Sequence, residues 1–207
     1  MKLHADSATA RILASGLGFA LVAVVAHAQA LPSDRLAAAM RQGGYVLVMR
    51  HASSPRETPD KQTANPDNTK LERQLDEAGR TGSTAMGRAL RDLKIPIGEV
   101  FTSPTYRAME TVKFAQLANA MPVAELGDGG QDMQGVPEAQ AAWLRAKAAQ
   151  TPKAGNTVVV THMPNIARAF PSWGQVADGE AIIVRPDAQG GTTVVARVKI
   201  EEWAGLR

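Results

Sequence analysis

The chain has 207 residues, 23 Lys and Arg against 20 Asp and Glu, and no cysteine. A formal charge of +3, scattered without runs or stripes, argues against a nucleic-acid footprint. The missing thiols exclude a disulfide framework and any Cys-ligated zinc or iron-sulfur site.

Residues 1–30 read as a secretory signal peptide. Lys2 and Arg11 precede an apolar run from Ile12 to Ala26, and small-residue cleavage sites follow, after Ala28 or Ala30. That run is shorter than the ~20 residues a spanning helix needs and contains Gly16 and Gly18, so export with cleavage is expected rather than a membrane anchor. What remains, 31–207, is the size of one domain with one core and is nearly neutral. Cleavage also removes His4 and His27. His51 and His162 are then the only histidines.

Ser33 or Asp34 can cap a short helix through Leu36 and Met40, closed by Gly43 and Gly44. Tyr45 to Met49 is an unbroken apolar run, the pattern of a strand buried on both faces. Ala52 to Thr69, rich in Pro, Asn, Asp and Thr, reads as an exposed loop long enough to suspect function. From Leu75 to Leu93 apolar and small residues recur at helical spacing, with Asp76 as cap and Pro96 and Gly98 as terminators. Val100 and Phe101 form a short strand, and Ser103-Pro104 open another helix with Ser103 as cap and a core face of Ala108, Met109, Val112 and Ala115.

Val123 to Leu126 is a third candidate strand, and "GDGGQDMQG" after it is loop by composition. A helix from Pro137 to Ala149 follows, anchored by Trp143 and Leu144. Thr157 to Thr161 repeats the apolar strand pattern, and Pro164 opens a short helix that Pro171 ends. Ala181–Val184 and Thr192–Ile200 read as a hairpin across "PDAQGG". Strands alternating with helices imply an α/β three-layer sandwich, a mostly parallel central sheet flanked by helices. Ligands of such sheets bind beyond the carboxyl ends of the strands.

Polar groups follow four of the expected strands: Arg50-His51, then Ser103 with Arg107, then Glu125 to Asp132, then Thr161-His162. Right-handed crossovers send all four strand ends to one edge of the sheet. Two guanidiniums there offer forked donors for the oxygens of a phosphoryl group. An imidazole between them has its pKa lowered by like charge and keeps a nucleophilic nitrogen. It can then carry the phosphoryl group covalently while a carboxylic acid protonates the leaving oxygen. Two histidines beside two arginines make a poor cation site, and no third ligand is spaced with them.

"RHASSP", "LDEAGRTGSTAMGRAL", "FTSPTYRAMETV" and "VVVTHMPNI" resemble, in order and spacing, the motifs of the histidine phosphatase superfamily, the phosphoglycerate-mutase-like proteins. The resemblance covers nearly all of 31–207. It implies a phosphoglycerate-mutase-like fold and metal-independent phosphomonoester hydrolysis with no cofactor. His51 becomes the phosphorylated nucleophile, and Arg50, Arg107 and His162 the phosphate pocket. Asp128 in "LGD" stands where the family's largest branch has its acid; Glu125 and Asp132 are rivals, and some small members lack the acid. Ala52 replaces the usual Gly, and Met163 stands where the other large branch has Asp, which points away from phytase-type enzymes.

The expected ligand is a phosphorylated small molecule or an envelope glycan phosphate, with no nucleic acid and no membrane insertion after cleavage. The alternative is binding of such a ligand without turnover. Neither the substrate nor the oligomeric state can be read from the residues.

Overall fold

The computed structural model describes residues 31–128 and 135–207. The expected leader and Asp132 lie outside the described residues. Six strands, β1 (Val46–Arg50), β2 (Ile97–Thr102), β3 (Ala120–Pro122), β4 (Asn156–Thr161), β5 (Ala181–Pro186) and β6 (Thr192–Val198), form one sheet in the order β3-β2-β4-β1-β5-β6. The pairs β3·β2, β2·β4 and β4·β1 are parallel, and β5 runs antiparallel to both its neighbours. The expected mostly parallel sheet is present.

Five α-helices cover it: α1 (Ser33–Arg41), α2 (Glu77–Asp92), α3 (Tyr106–Ala115), α4 (Glu138–Ala148) and α5 (Met163–Ala169). Side chains alternate across a strand, so an unbroken apolar run feeds two cores at once. Leu47, Met49, Val158, Val160 and Ile183 pack with α1, α2 and α3. Val46, Val48, Val159, Ile182 and Val184 pack with α4 and α5. Burying each such side chain contributes about 1.5–3 kcal/mol, which explains why the apolar runs of β1 and β4 are unbroken at these positions.

Strand register positions the site. Arg50 pairs with Thr161 and Thr102 with Val160, so β1, β2 and β4 finish side by side. One residue further, the His51 N–H donates to Thr161 O at 2.9 Å and the Ser103 N–H to Val160 O at 2.9 Å. His51, Ser103 and His162 therefore leave the sheet along one edge.

Several boundaries differ from the sequence reading. Helix α1 starts directly after Pro32 without a side-chain cap from Ser33 or Asp34. Helix α3 starts at Tyr106 rather than Ser103, whose hydroxyl turns to His162. The third strand is Ala120–Pro122, and Ala124–Leu126 is a 3-10 turn whose Leu126 is fully buried. Its apolar signal came from a buried turn. Gly98 lies within β2 instead of ending a helix, because α2 stops at Asp92. Met109 is not core; it is half-buried and lines a surface cleft with Tyr106 and Lys113. Strand β6 ends at Val198, two residues early.

Asp76 caps α2 by accepting from the Gly79 N–H at 2.7 Å, as its spacing predicts. Among the described residues no helix is long and apolar enough to cross a membrane.

Helices α2 and α3 approach closely because Gly87 has no side chain: a Cβ there would lie 1.9 Å from Ala115 O. Gly87→Ala is expected to cost about 1–3 kcal/mol in chemical denaturation by forcing the helices apart. An unchanged midpoint would show that this contact does not hold α3 in place.

Candidate active site

His51 follows β1 directly and is 4 % exposed. Its Nδ1 lies 2.8 Å from Ala52 O, and a carbonyl only accepts, so Nδ1 carries the proton. The Nε2 lone pair then faces the Nε–H of Arg107 at 3.2 Å. His162, after β4, shows the reverse tautomer. Arg107 lies 3.2 Å from His162 Nδ1, and a guanidinium only donates, so Nε2 bears the hydrogen and donates to Ser103 Oγ at 2.8 Å. The two ring centroids are 5.2 Å apart. One buried guanidinium thus addresses both imidazoles.

Burial is the main reason both rings resist protonation. The His51 pKa is lowered to about 3, first by burial and then by Arg107, Arg50 and Arg73, against an opposing contribution from the Ala52 carbonyl. His162 is lowered by burial, Arg107 and His51, with Asp128 opposing. Like charge, which the sequence already implies, adds to this, but loss of solvent is the larger cause.

Asp128 accepts a short ion-paired hydrogen bond from Arg107. Its loop is fixed by backbone contacts, since Thr161 Oγ1 donates to Leu126 O at 2.9 Å and Asn165 Nδ2 to Gly127 O at 2.8 Å. Glu125 sits in the preceding 3-10 turn and makes no contact with the cluster. Among the described residues, Asp128 is the carboxylate on Arg107. Asp132 lies outside them.

Arg50 is at the site, where its charge acts on His51. Instead of aligning with Arg107 its guanidinium donates to Val176 O at 3.0 Å and lies 2.7 Å from Asp178 Oδ1. Arg73 was missed altogether. It donates to Pro55 O at 2.6 Å and Ser54 O at 3.0 Å, and its charge acts on both imidazoles. No local pattern marks it, because it reaches the site by folding of the long loop. Among the described residues no three potential metal ligands gather.

That loop runs from His51 to Asp76 and is tied to α3. Glu110, 2 % exposed, accepts from the Leu75 N–H at 2.6 Å and from Asn65 Nδ2 at 3.0 Å. Thr111 Oγ1 accepts from the Ala52 N–H at 3.0 Å. Ala52 is fully buried, and its Cβ is accommodated where the family pattern has Gly.

No family model matches the chain, and no curated protein matches it. Solved structures do. The protein histidine phosphatase SixA complexed with tungstate superposes with a TM-score of 0.56 at 20% identity, covering 76% of this chain and 98% of that one. The chain has the histidine phosphatase fold.

Two further structures share that fold. A mutant phosphoserine phosphatase from Entamoeba histolytica in complex with phosphoserine gives a TM-score of 0.51 at 10% identity, covering 76% and 98% of the two chains. The product of open reading frame Rv3214 from Mycobacterium tuberculosis gives 0.51 at 18% identity, covering 74% and 96%.

The neutral, buried imidazoles link stability to pH. Below pH 6.5 the unfolded chain takes up protons that folded His51 and His162 refuse, so stability falls as the pH drops from 6.5 towards 3. The denaturation midpoint is expected to decrease between pH 7 and pH 4, less so in His51→Gln. Nitrogen chemical shifts of both rings are expected to remain those of neutral imidazole at pH 5; titration of either ring near 6.5 would contradict the assignment.

Proposed function

We propose that this protein is a metal-independent phosphatase that hydrolyses phosphomonoesters through a phosphohistidine on His51. The observation that carries the reading is the buried triad in which Arg107 donates to Nε2 of His51 and Nδ1 of His162 while both rings are neutral. The fold it shares with phosphatases supports the same class of chemistry.

Arg107 covers the nucleophile's lone pair. An arriving phosphoryl group gives its Nε–H a better, charged acceptor, and His51 Nε2 is released. The proton of an entering phosphomonoester monoanion passes to the Asp128 carboxylate; the lone pair then attacks phosphorus, the P–O ester bond breaks, and the leaving oxygen takes that proton from Asp128. Water next attacks the phosphorus, gives a proton to Asp128, and the P–N bond electrons return to Nε2 as phosphate leaves. His51 Nδ1–H, held by Ala52 O, steadies the ring as it gains positive charge. Arg107, positioned by the Nδ1 lone pair of His162, binds the phosphoryl oxygens, and Arg50 and Arg73 complete the positive field.

The amino-terminal pattern supports export, and the substrate we propose is a phosphorylated small molecule or glycan phosphate of the cell envelope. A second reading is binding without turnover. It is favoured by the hydrogen bond that already occupies His51 Nε2.

Hydrolysis of an aryl phosphate separates the two. Activity insensitive to chelator and reduced about a thousandfold or more in His51→Ala is expected, together with an acid-labile, base-stable phosphoryl group trapped on His51. Equal rates in both proteins would leave only the binding reading. Asp128→Asn should slow alkyl phosphates about 10²–10⁴-fold and aryl phosphates far less, because a good leaving group needs no proton. Equal slowing of both would remove Asp128 from the acid role.

A further inference from the structure

Asp178 is a carboxylate at the site that no motif announces. It sits in the turn before β5, and that turn is docked on the end of β1: the Gly179 N–H donates to His51 O at 2.9 Å, and the Arg50 N–H to Glu180 O at 3.2 Å. The turn itself is tight. Gly179 has φ 72°, the Glu180 N–H donates to Ala177 O at 3.1 Å, and the Ala177 N–H to Glu180 Oε2 at 2.7 Å. Arg197 braces it from β6, pairing with Glu180 at 2.7 Å and donating to the carbonyls of Trp173 and Gln175. Asp178 is thus held beside Arg50 by backbone on both sides.

The contact between them is close but poorly made. The Arg50 terminal nitrogen and Asp178 Oδ1 are 2.7 Å apart, yet Asp178 Oδ1 is buried without an aligned hydrogen bond. Arg50 Nε is also buried and has no partner. Only the bond to Val176 O is well formed. A guanidinium with five donors is therefore neutralised by a neighbouring charge while much of its hydrogen-bonding capacity stays unused. Asp178 also acts on the charge of Arg73, so its field reaches past Arg50 into the pocket.

We infer that Asp178 is a built-in counter-charge for Arg50, one that an oxyanion must outcompete and that favours departure of inorganic phosphate after turnover. This inference rests on the phosphate pocket proposed above. Arg50, Arg73 and Arg107 set three positive charges against Asp128 and Asp178, with both imidazoles neutral. That balance leaves one net positive charge for an incoming dianion. A pocket without Asp178 would hold two and would keep its product. The unpartnered Nε gives an oxyanion a donor that Asp178 does not use, so the ligand exchanges places with the carboxylate at modest cost. Asp178 touches Arg50 and not the reacting atoms, and acts through it.

The test is calorimetric titration of the full chain with inorganic phosphate at pH 7, comparing wild type, Asp178→Asn, Asp178→Ser and Glu201→Gln, an exposed carboxylate remote in sequence. Removing one partly screened charge beside the ligand is expected to tighten phosphate binding about tenfold in both Asp178 variants. The product-inhibition constant should fall in the same ratio. Glu201→Gln should leave it unchanged. In an Arg50→Gln background the gain from Asp178→Asn should disappear.

Wild-type binding that is not tightened in either Asp178 variant overturns this inference and leaves the pocket standing. Weaker binding also overturns it, because Asp178 would then serve to hold Arg50 in a productive pose. A gain that persists without Arg50, or that Glu201→Gln reproduces, overturns the route through Arg50. Absence of phosphate binding in every variant sinks the pocket reading itself, and this inference with it.

Discussion

A single guanidinium, 7 % exposed, donates to two imidazole nitrogens and one carboxylate: Arg107 to His51, His162 and Asp128. A cation buried that far is tolerated only when its donors are matched by acceptors. Two of the three acceptors are neutral rings, which keep their lone pairs because they too are removed from water. The low proton affinity of the histidines and the burial of Arg107 are therefore one arrangement. Protonating either ring would set N–H against N–H.

The sheet supplies the spacing for that arrangement and α3 supplies the lock. Parallel register between β1 and β4 brings His51 and His162 out one after the other along the same edge. Helix α3 then presents three different side chains within little more than one turn. Arg107 enters the cluster, Glu110 holds the loop at Leu75 and Asn65, and Thr111 holds the backbone of Ala52. The long loop is thus anchored by the helix that carries the central cation, and Arg73 arrives at the site from that loop. Close contact at Gly79 serves the same end, since a Cβ there would meet Ser53 O at 2.2 Å.

The carboxylates come from a different kind of structure. Asp128 and Asp178 both sit on turns beyond the strand ends, and the backbone of each turn is held by hydrogen bonds besides the ion pair of its acid. Thr161 and Asn165 hold the chain before Asp128; His51 and Arg50 hold the chain around Asp178. Arg50 and Arg107 are thus mounted on regular elements, Arg73 on the loop that α3 anchors, and the negative groups on turns that those elements grip. Charges that must yield to an incoming anion are placed where small movements cost least.

Sequence alone was enough for the strands β1 and β4, the helix α2 with its Asp76 cap, and the positions of His51, Arg107 and His162. Burial on two faces demands unbroken apolar runs, and the residue after such a run must leave the sheet, so these features are local. It failed where the signal was shared with another cause: Leu126 looked like strand because a buried turn is also apolar, and Ser103 looked like a cap although its hydroxyl goes to His162. Arg73, the diversion of Arg50 and the presence of Asp178 were not legible at all. Each depends on where a loop is tied down by bonds to residues distant in the chain, and only packing of the whole chain decides that.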